Sequence, residues 1–343
     1  MKTSIKIFKI FGIPIELDFS FLILIVAIYF LAFLDLISLE LAVLITLVFV
    51  TVVIHELAHS YVARHFGVKI EKILLLPIGG IAKMEEIPRV PRQELLISVA
   101  GPLTNLIIAA AFYGMGSTGI FPQAITEFIA NFILVNVLLA FFNLIPAFPM
   151  DGGRILRALL AAKMSYLRST EVAANLGKFL AILMAMAGIF FNLFLILIAL
   201  FIYIGAEQEY RLVFISSLLE GVKVGDVMTP DPITLKPSST VEEALEIVFK
   251  YKHMGYPVTE NGELKGIVTF QDLSSADKST PIRDVMTEDV ITVDIDDDAM
   301  VALEKLTSHD LGRLPVMKEG KLVGIISKTD LIRTLDIMRR TRT

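Results

Sequence analysis

Up to about Ala206 this 343-residue chain consists of long uncharged apolar runs, whereas from Glu207 onward charges recur every few residues. Hydrophobic residues make up 55% of it, and a single soluble globule built this way would expose a large apolar surface. A membrane part followed by a water-soluble part explains the division. The net charge of −5 argues against a nucleic-acid binder that relies on neutralising phosphates, so no nucleic-acid partner is expected. With no cysteine there is no disulfide framework, no thiolate ligand and no cysteine nucleophile.

The apolar runs set the order of elements. Ser4 to Asp18 alternates apolar and polar residues about Gly12 and Pro14, which predicts a short hairpin along the membrane surface. Phe19 to Leu34, extendable to about Ile37, is the first expected span. Asp35 and Glu40 mark a turn, and a second span runs from about Leu41 to Ala63. Leu74-Leu75-Leu76-Pro77-Ile78-Gly79-Gly80 reads as a strand ended by a glycine pair, either a plain hairpin turn or an edge strand able to pair with an unwound peptide. Leu95 to Thr126 is too long for one straight span. Gly114, Gly116 and Gly119 are expected to break it, with Phe121 to about Ile145 returning as the fourth. Thr170 to Ala206 has room for two further short spans that turn near Gly188 to Asn192. Lys2, Lys6 and Lys9 precede the first span without a small-residue cleavage site, so this end reads as mature protein. Basic residues cluster at Arg64, Lys69, Lys72, Lys83, Arg89 and Arg92, and again at Arg154, Arg157, Lys163 and Arg168. By the positive-inside rule these loops, the N-terminus and the C-terminal half face the cytoplasm.

Inside the second span lies His55-Glu56-Leu57-Ala58-His59. On a helix the two imidazoles share one face and can reach one metal ion, while Glu56 stands close enough to take a proton from water held there. Insertion scales put a charge at membrane depth at roughly 2.5–3.5 kcal/mol, so such groups are kept where they are paired, metal-bound or facing water. The fourth span ends in Asn143-Leu144-Ile145-Pro146-Ala147-Phe148-Pro149-Met150-Asp151-Gly152-Gly153-Arg154, a proline- and glycine-rich unwinding. Asp151 is expected to be the third ligand of a His₂Asp zinc site; the other reading is a cap on the next helix. Asn143 either holds a substrate carbonyl or oxyanion, or satisfies carbonyls freed by the prolines. Ala100-Gly101-Pro102, with Thr104 and Asn105, reads as close helix packing, the other reading being a local kink.

These segments together resemble the site-2 protease family of intramembrane zinc metalloproteases over the whole membrane half. The resemblance implies a zinc ion held by His55, His59 and Asp151, with Glu56 as catalytic acid and base. It also implies a substrate role for Asn143 and cleavage within the transmembrane helices of substrate proteins.

From about Val222 the chain repeats with a period of 58 residues: Val227-Met228-Thr229 returns as Val285-Met286-Thr287, Pro257-Val258 as Pro315-Val316, and Asp272 as Asp330. Each copy reads as an entry strand, a helix (Val241 to Tyr251; Ala299 to His309), two strands about a turn, and a closing helix. Asn261-Gly262 and Glu319-Gly320 supply the turns. This half resembles a tandem CBS pair. The resemblance implies an adenine nucleotide (ATP, ADP or AMP), with Thr269 and Ser327 at phosphate and Asp272 and Asp330 at ribose. The alternatives are that these residues only cap the closing helices, and that the pair serves dimerisation alone, as a homodimer.

The expected fold is an α-helical polytopic membrane domain of about six spans with short surface strands, then an α/β tandem CBS pair. The expected limits are 1–210 for the membrane domain, 211–221 for a linker, 222–280 and 281–336 for the repeats, and 337–343 for a basic tail. A rival from another class is a CBS-gated cation transporter or channel that uses the same four polar residues; the placement of Glu56 serves hydrolysis and has no transport role. His65, His253 and His309 read as surface or helix-end residues.

Overall fold

Phe11 and Gly12 both adopt left-handed backbone angles (φ 50° and 80°), and their two-residue turn pairs β1 (Ser4–Ile10) with β2 (Ile13–Asp18) antiparallel. The Asp18 side chain accepts from Ser20 N and starts α1 (Phe19–Phe33); the Ser38 hydroxyl accepts from Leu41 N and starts α2 (Leu39–His65). These helices carry the chain across to β3 (Ile70–Leu76), which lies parallel to β2, and β4 (Gly79–Met84) then closes the sheet order β1-β2-β3-β4 as an edge strand. Ile13, Ile15, Ile73 and Leu75 on one sheet face pack with Phe21, Val53 and Leu57, so the sheet rests on the half of α2 that carries the His-Glu motif.

The protein is described here by a computed structural model over residues 4–77, 79–84 and 89–341. Lys2, Ile78, Arg342 and Thr343 lie outside those residues. Contacts divide the chain between Val213 and Phe214.

The first unit continues with α3 (Pro91–Ser117), α4 (Thr126–Asn143), the short α5 (Asp151–Ala161), α6 (Tyr166–Phe191) and α7 (Leu193–Leu219). Among the described residues five helices are long and apolar enough to cross a membrane: α2, α3, α4 with its preceding 3₁₀ turn, α6 and α7. The first expected span is shorter than its apolar run. Helix α1 stops at Phe33, ahead of Asp35 at φ 56°, and its 15 residues rise only about 22 Å. With α1 the apolar helices number six. Gly114 and Gly116 do not break α3, which runs through both, and only Gly119, at φ 71°, turns the chain. The turn between α6 and α7 is Asn192, whose side chain accepts from Phe194 N. The apolar surface is largely exposed there, as at Phe190, Phe191 and Leu193. Helix α7 runs unbroken through most of the expected linker.

In the second unit the order is α8 (Val224–Val227), β5 (Thr229–Pro230), α9 (Val241–Tyr251), β6 (Gly255–Glu260), β7 (Glu263–Thr269), α10 (Phe270–Ser274), β8 (Val293–Asp294), α11 (Ala299–Ser308), β9 (Arg313–Lys318), β10 (Lys321–Ser327) and α12 (Lys328–Thr341). Asn261-Gly262 and Glu319-Gly320 take the left-handed angles the hairpins need. The entry segments are exchanged between copies: β5 pairs with β10 of the second copy, and Thr287 bridges to Ile267 of the first. Val222 and Val224 accordingly pack with Val293, Leu314, Val316 and Ile326, while Leu235, Val241, Tyr256, Val258 and Val268 form the other core. Neither copy is complete without the other's entry segment.

Candidate metal centre

His55 and His59 are four residues apart on α2, both buried, with Nε2 atoms 3.0 Å from each other. Each Nε2 lies 3.2 Å from Asp151 Oδ2, across 96 and 92 residues of sequence. The second nitrogens fix the chemistry of the first. His55 Nδ1–H donates to Asn105 Oδ1 (2.7 Å) and His59 Nδ1–H donates to the Ile97 carbonyl (2.6 Å). Both acceptors come from α3, so both Nε2 atoms present lone pairs to each other and to a carboxylate oxygen. Three electron-rich atoms at this spacing repel one another unless a cation sits among them. In a tetrahedral zinc site with ordinary bond lengths, ligand atoms are about 3.3 Å apart. The triangle of 3.0–3.2 Å and its His₂Asp donor set fit such an ion, and these three residues form a group able to hold one.

Asp151 does not cap the next helix. Met150 is the N-cap of α5, with no side-chain cap bond, and Asp151 stands in the first turn. The following Gly152 and Gly153 let this turn press against the backbone of Leu144 to Phe148, where any β-carbon would collide. Glu56 is half-buried on α2 and is not one of the triangle's atoms. A β-carbon at Gly80 would come within 2.8 Å of Glu56 Cγ, so Gly80 of β4 lies directly over the motif.

His55, Glu56, His59 and Asp151 line one cavity of about 640 Å³, together with Gly79 to Ala82 of β4 and Phe201, Ile204, Gly205 and Gln208 of α7. Asn143 lines it too, with Nδ2 donating to the Leu139 carbonyl at 3.0 Å. One of its two amide hydrogens is therefore spent inside α4.

Several polar residues of this region were not assigned from the sequence. From the sequence, Asn105 has a place in packing or a kink and no part in the metal site, although an asparagine inside an uncharged run is itself a signal. Arg154 lines the cavity from the first turn of α5. Glu94, Arg157 and Glu209, from three helices, form a buried ion cluster. His65, His253 and His309 are exposed.

The CBS candidates stay in their own unit. The Thr269 hydroxyl donates to Asp272 Oδ2 (2.7 Å) and that of Ser327 to Asp330 Oδ2 (2.6 Å); each also takes part in a reciprocal cap on the closing helix. The two copies place the same hydroxyl–carboxylate pair at the same point, the end of β7 and the end of β10.

The profile of peptidase family M50 matches residues 42–121 and 119–184, and that of the CBS domain matches residues 224–279 and 282–337. The chain is 46% identical over 345 aligned residues to a zinc metalloprotease of Methanocaldococcus jannaschii, with 98% of each chain covered. It is 30% identical over 306 residues to Rip3 of Mycobacterium tuberculosis, covering 83% of this chain and 78% of the relative. Among solved structures it is similar to a site-2 protease from Methanocaldococcus jannaschii: 49% identity, 61% of this chain and 95% of that chain covered, TM-score 0.46.

Proposed function

The chain belongs to peptidase family M50, the site-2 proteases, and from that premise we propose that it cuts peptide bonds inside transmembrane segments of other proteins, near the cytoplasmic face. It is a zinc metalloendopeptidase and a multi-pass membrane protein with a tandem CBS pair. The observation that carries the finer reading is the cavity in which Glu56, the ligand triangle and the edge strand β4 meet on spanning helices. Held by His55, His59 and Asp151, zinc would supply a Lewis acid for the scissile carbonyl and bring the pKa of water toward about 7.

The remaining work falls to the chain's own side chains. The Glu56 carboxylate takes the proton of the attacking water and returns it to the leaving amine. The edge of β4 offers backbone groups to an extended peptide, so a substrate helix unwinds before it is cut. Asn143 keeps one amide hydrogen for the substrate carbonyl or its oxyanion. The basic residues between α2 and α3, with Lys163 and Arg168 about the α5–α6 turn and the N-terminal lysines, support cytoplasmic placement of the N-terminus and the CBS pair; Arg157, expected on that second loop, is instead buried on α5.

The test is cleavage of a transmembrane peptide by the protein reconstituted in lipid vesicles. A zinc chelator is expected to stop cleavage and added zinc to restore it, with fragment masses locating the cut inside the apolar segment toward its cytoplasmic end. Cuts confined to the water-soluble flanks, or cleavage indifferent to chelation, would refute the reading.

The CBS pair is read here as a regulatory adenine-nucleotide site, supported by the hydroxyl–carboxylate pair repeated in both copies. ATP is expected to bind the full chain and change its cleavage rate. The paired substitutions Asp272→Asn and Asp330→Asn should weaken nucleotide binding about tenfold, the loss of one charge-assisted hydrogen bond of roughly 1.5 kcal/mol. Titration calorimetry that registers no heat for ATP, ADP or AMP would leave dimerisation as the role of this unit.

A further inference from the structure

Arg157 lies on α5, six residues beyond Asp151, with its side chain 3% exposed. Each of its three nitrogens has a carboxylate partner: Nε and Nη2 lie 2.7 and 2.5 Å from Glu94 Oε1 on α3, and Nη1 lies 2.7 Å from Glu209 Oε1 on α7. Its faces are covered as well, with Cζ 4.9 Å from the centroid of the Phe148 ring and 4.8 Å from that of Tyr166. The Glu94 side chain is 0% exposed, and its other oxygen, Oε2, is buried without a hydrogen-bond partner. A buried pair of this kind generally costs as much in desolvation as it returns in attraction, so stability alone does not account for it.

Its position in the fold suggests a geometric role. Helix α3 holds both imidazoles through the Ile97 carbonyl and Asn105, and Glu94 sits one turn before Ile97 on that helix. Helix α5 holds Asp151, and the loop leading into α5 is irregular from Leu144 to Met150. The contact of two Arg157 nitrogens with the single oxygen Oε1 of Glu94 is therefore a side-chain tie between the helix that orients the histidines and the helix that presents the carboxylate. Phe148, which Arg157 covers, belongs to the same loop.

We propose that Arg157, clamped by Glu94, is the positioning residue that keeps Asp151 in ligand register with His55 and His59. The proposal rests on the zinc reading above. A metal site tolerates only a few tenths of an ångström in ligand placement, and a planar fork held at two points fixes α5 in a way that a single flexible ammonium does not. Glu209, the third member, lies on α7, which bears no ligand and no histidine partner.

The experiment measures zinc affinity by chelator competition on the full-length protein in detergent, alongside its melting temperature and the visible spectrum of the cobalt-loaded form. The variants are Arg157→Lys, Glu94→Gln and Glu209→Gln. Arg157→Lys and Glu94→Gln are expected to weaken zinc binding about 10- to 100-fold, as losses of outer-shell support do, and to shift the cobalt bands. Glu209→Gln should hold zinc within about threefold of the parent, since it leaves the Arg157–Glu94 contact between α5 and α3 in place. Both parental affinity and parental cobalt bands in Arg157→Lys and Glu94→Gln would overturn the proposal, whatever happens to the melting temperature. Equal weakening by all three variants would also overturn it, because the effect would then be general loosening. If one variant does not fold, the other clamp variant decides on the same criteria. If neither folds, the double variant Arg157→Met with Glu94→Gln, which leaves only the partly exposed Glu209 without its partner, is measured in their place. A parent that binds no stoichiometric zinc would defeat the zinc reading itself, a result distinguishable from a zinc-binding parent whose clamp variants bind equally well.

Discussion

Replacing Glu56 with glutamine is expected to lower cleavage of a transmembrane peptide by about 10²–10⁴-fold while leaving zinc in place. Glutamine keeps the length and shape of the side chain and can still hydrogen-bond to water, but it cannot accept and return a proton. The triangle of His55 Nε2, His59 Nε2 and Asp151 Oδ2 does not include Glu56, so the metal site should survive the change. Nor does packing oppose it, since Glu56 faces the cavity beneath Gly80 and not a close-packed core. The measurement is the single-turnover rate in vesicles together with zinc content by mass spectrometry of the same preparation. A rate within tenfold of the parent would remove Glu56 from the proton transfers. Zinc loss in step with activity would make it a ligand instead.

How much of this was legible in the sequence depended on whether a feature had a local pattern. The His55–Glu56–His59 spacing has one, and its placement in an uncharged run gave it meaning. Asp151 was legible by the chemistry of the site, because two imidazoles leave a zinc ion short of protein ligands and the proline-glycine segment offered the nearest carboxylate. The repeat of the soluble half was legible as a period, but the exchange of its entry strands was not. Pairing β5 with β10 joins segments nearly a hundred residues apart, and nothing in either segment names its partner. The ion cluster failed to show for the same reason. Glu94, Arg157 and Glu209 are 63 and 52 residues apart, and each reads alone as an ordinary charge near a helix end. The first span was legible from Phe19 to Leu34, the C-cap of α1, and only its extension to Ile37 failed, because Leu36 and Ile37 are apolar while the backbone at Asp35 turns left-handed. Gly79-Gly80 could be read as turn or edge strand, and the sequence held no sign that Glu56 lies beneath it.

Gly101→Ala is expected to weaken the protein's hold on zinc. A β-carbon at this position would fall on the Nε2 atoms of both His55 and His59, with His59 Cε1 at 2.6 Å. The imidazoles cannot swing away cheaply, because His55 is held by Asn105 and His59 by the Ile97 carbonyl, both on the same α3 as the new methyl group. Either α3 retreats and takes those two acceptors with it, or the rings turn and both hydrogen bonds are lost. Each route opens the triangle with Asp151, and overpacking of this kind costs about 1–3 kcal/mol. Zinc affinity is therefore expected to fall by up to about 100-fold and cleavage to fall with it, because about 2.8 kcal/mol corresponds to two decades. Gly114→Ala is the control: the same helix, the same added methyl, and nothing within 4 Å of it. That variant should keep parental zinc affinity and gain, if anything, a little helix stability. Chelator competition on the two purified variants reads the difference directly. Parental zinc affinity in Gly101→Ala would mean that α3 does not lie against the histidines as closely as described.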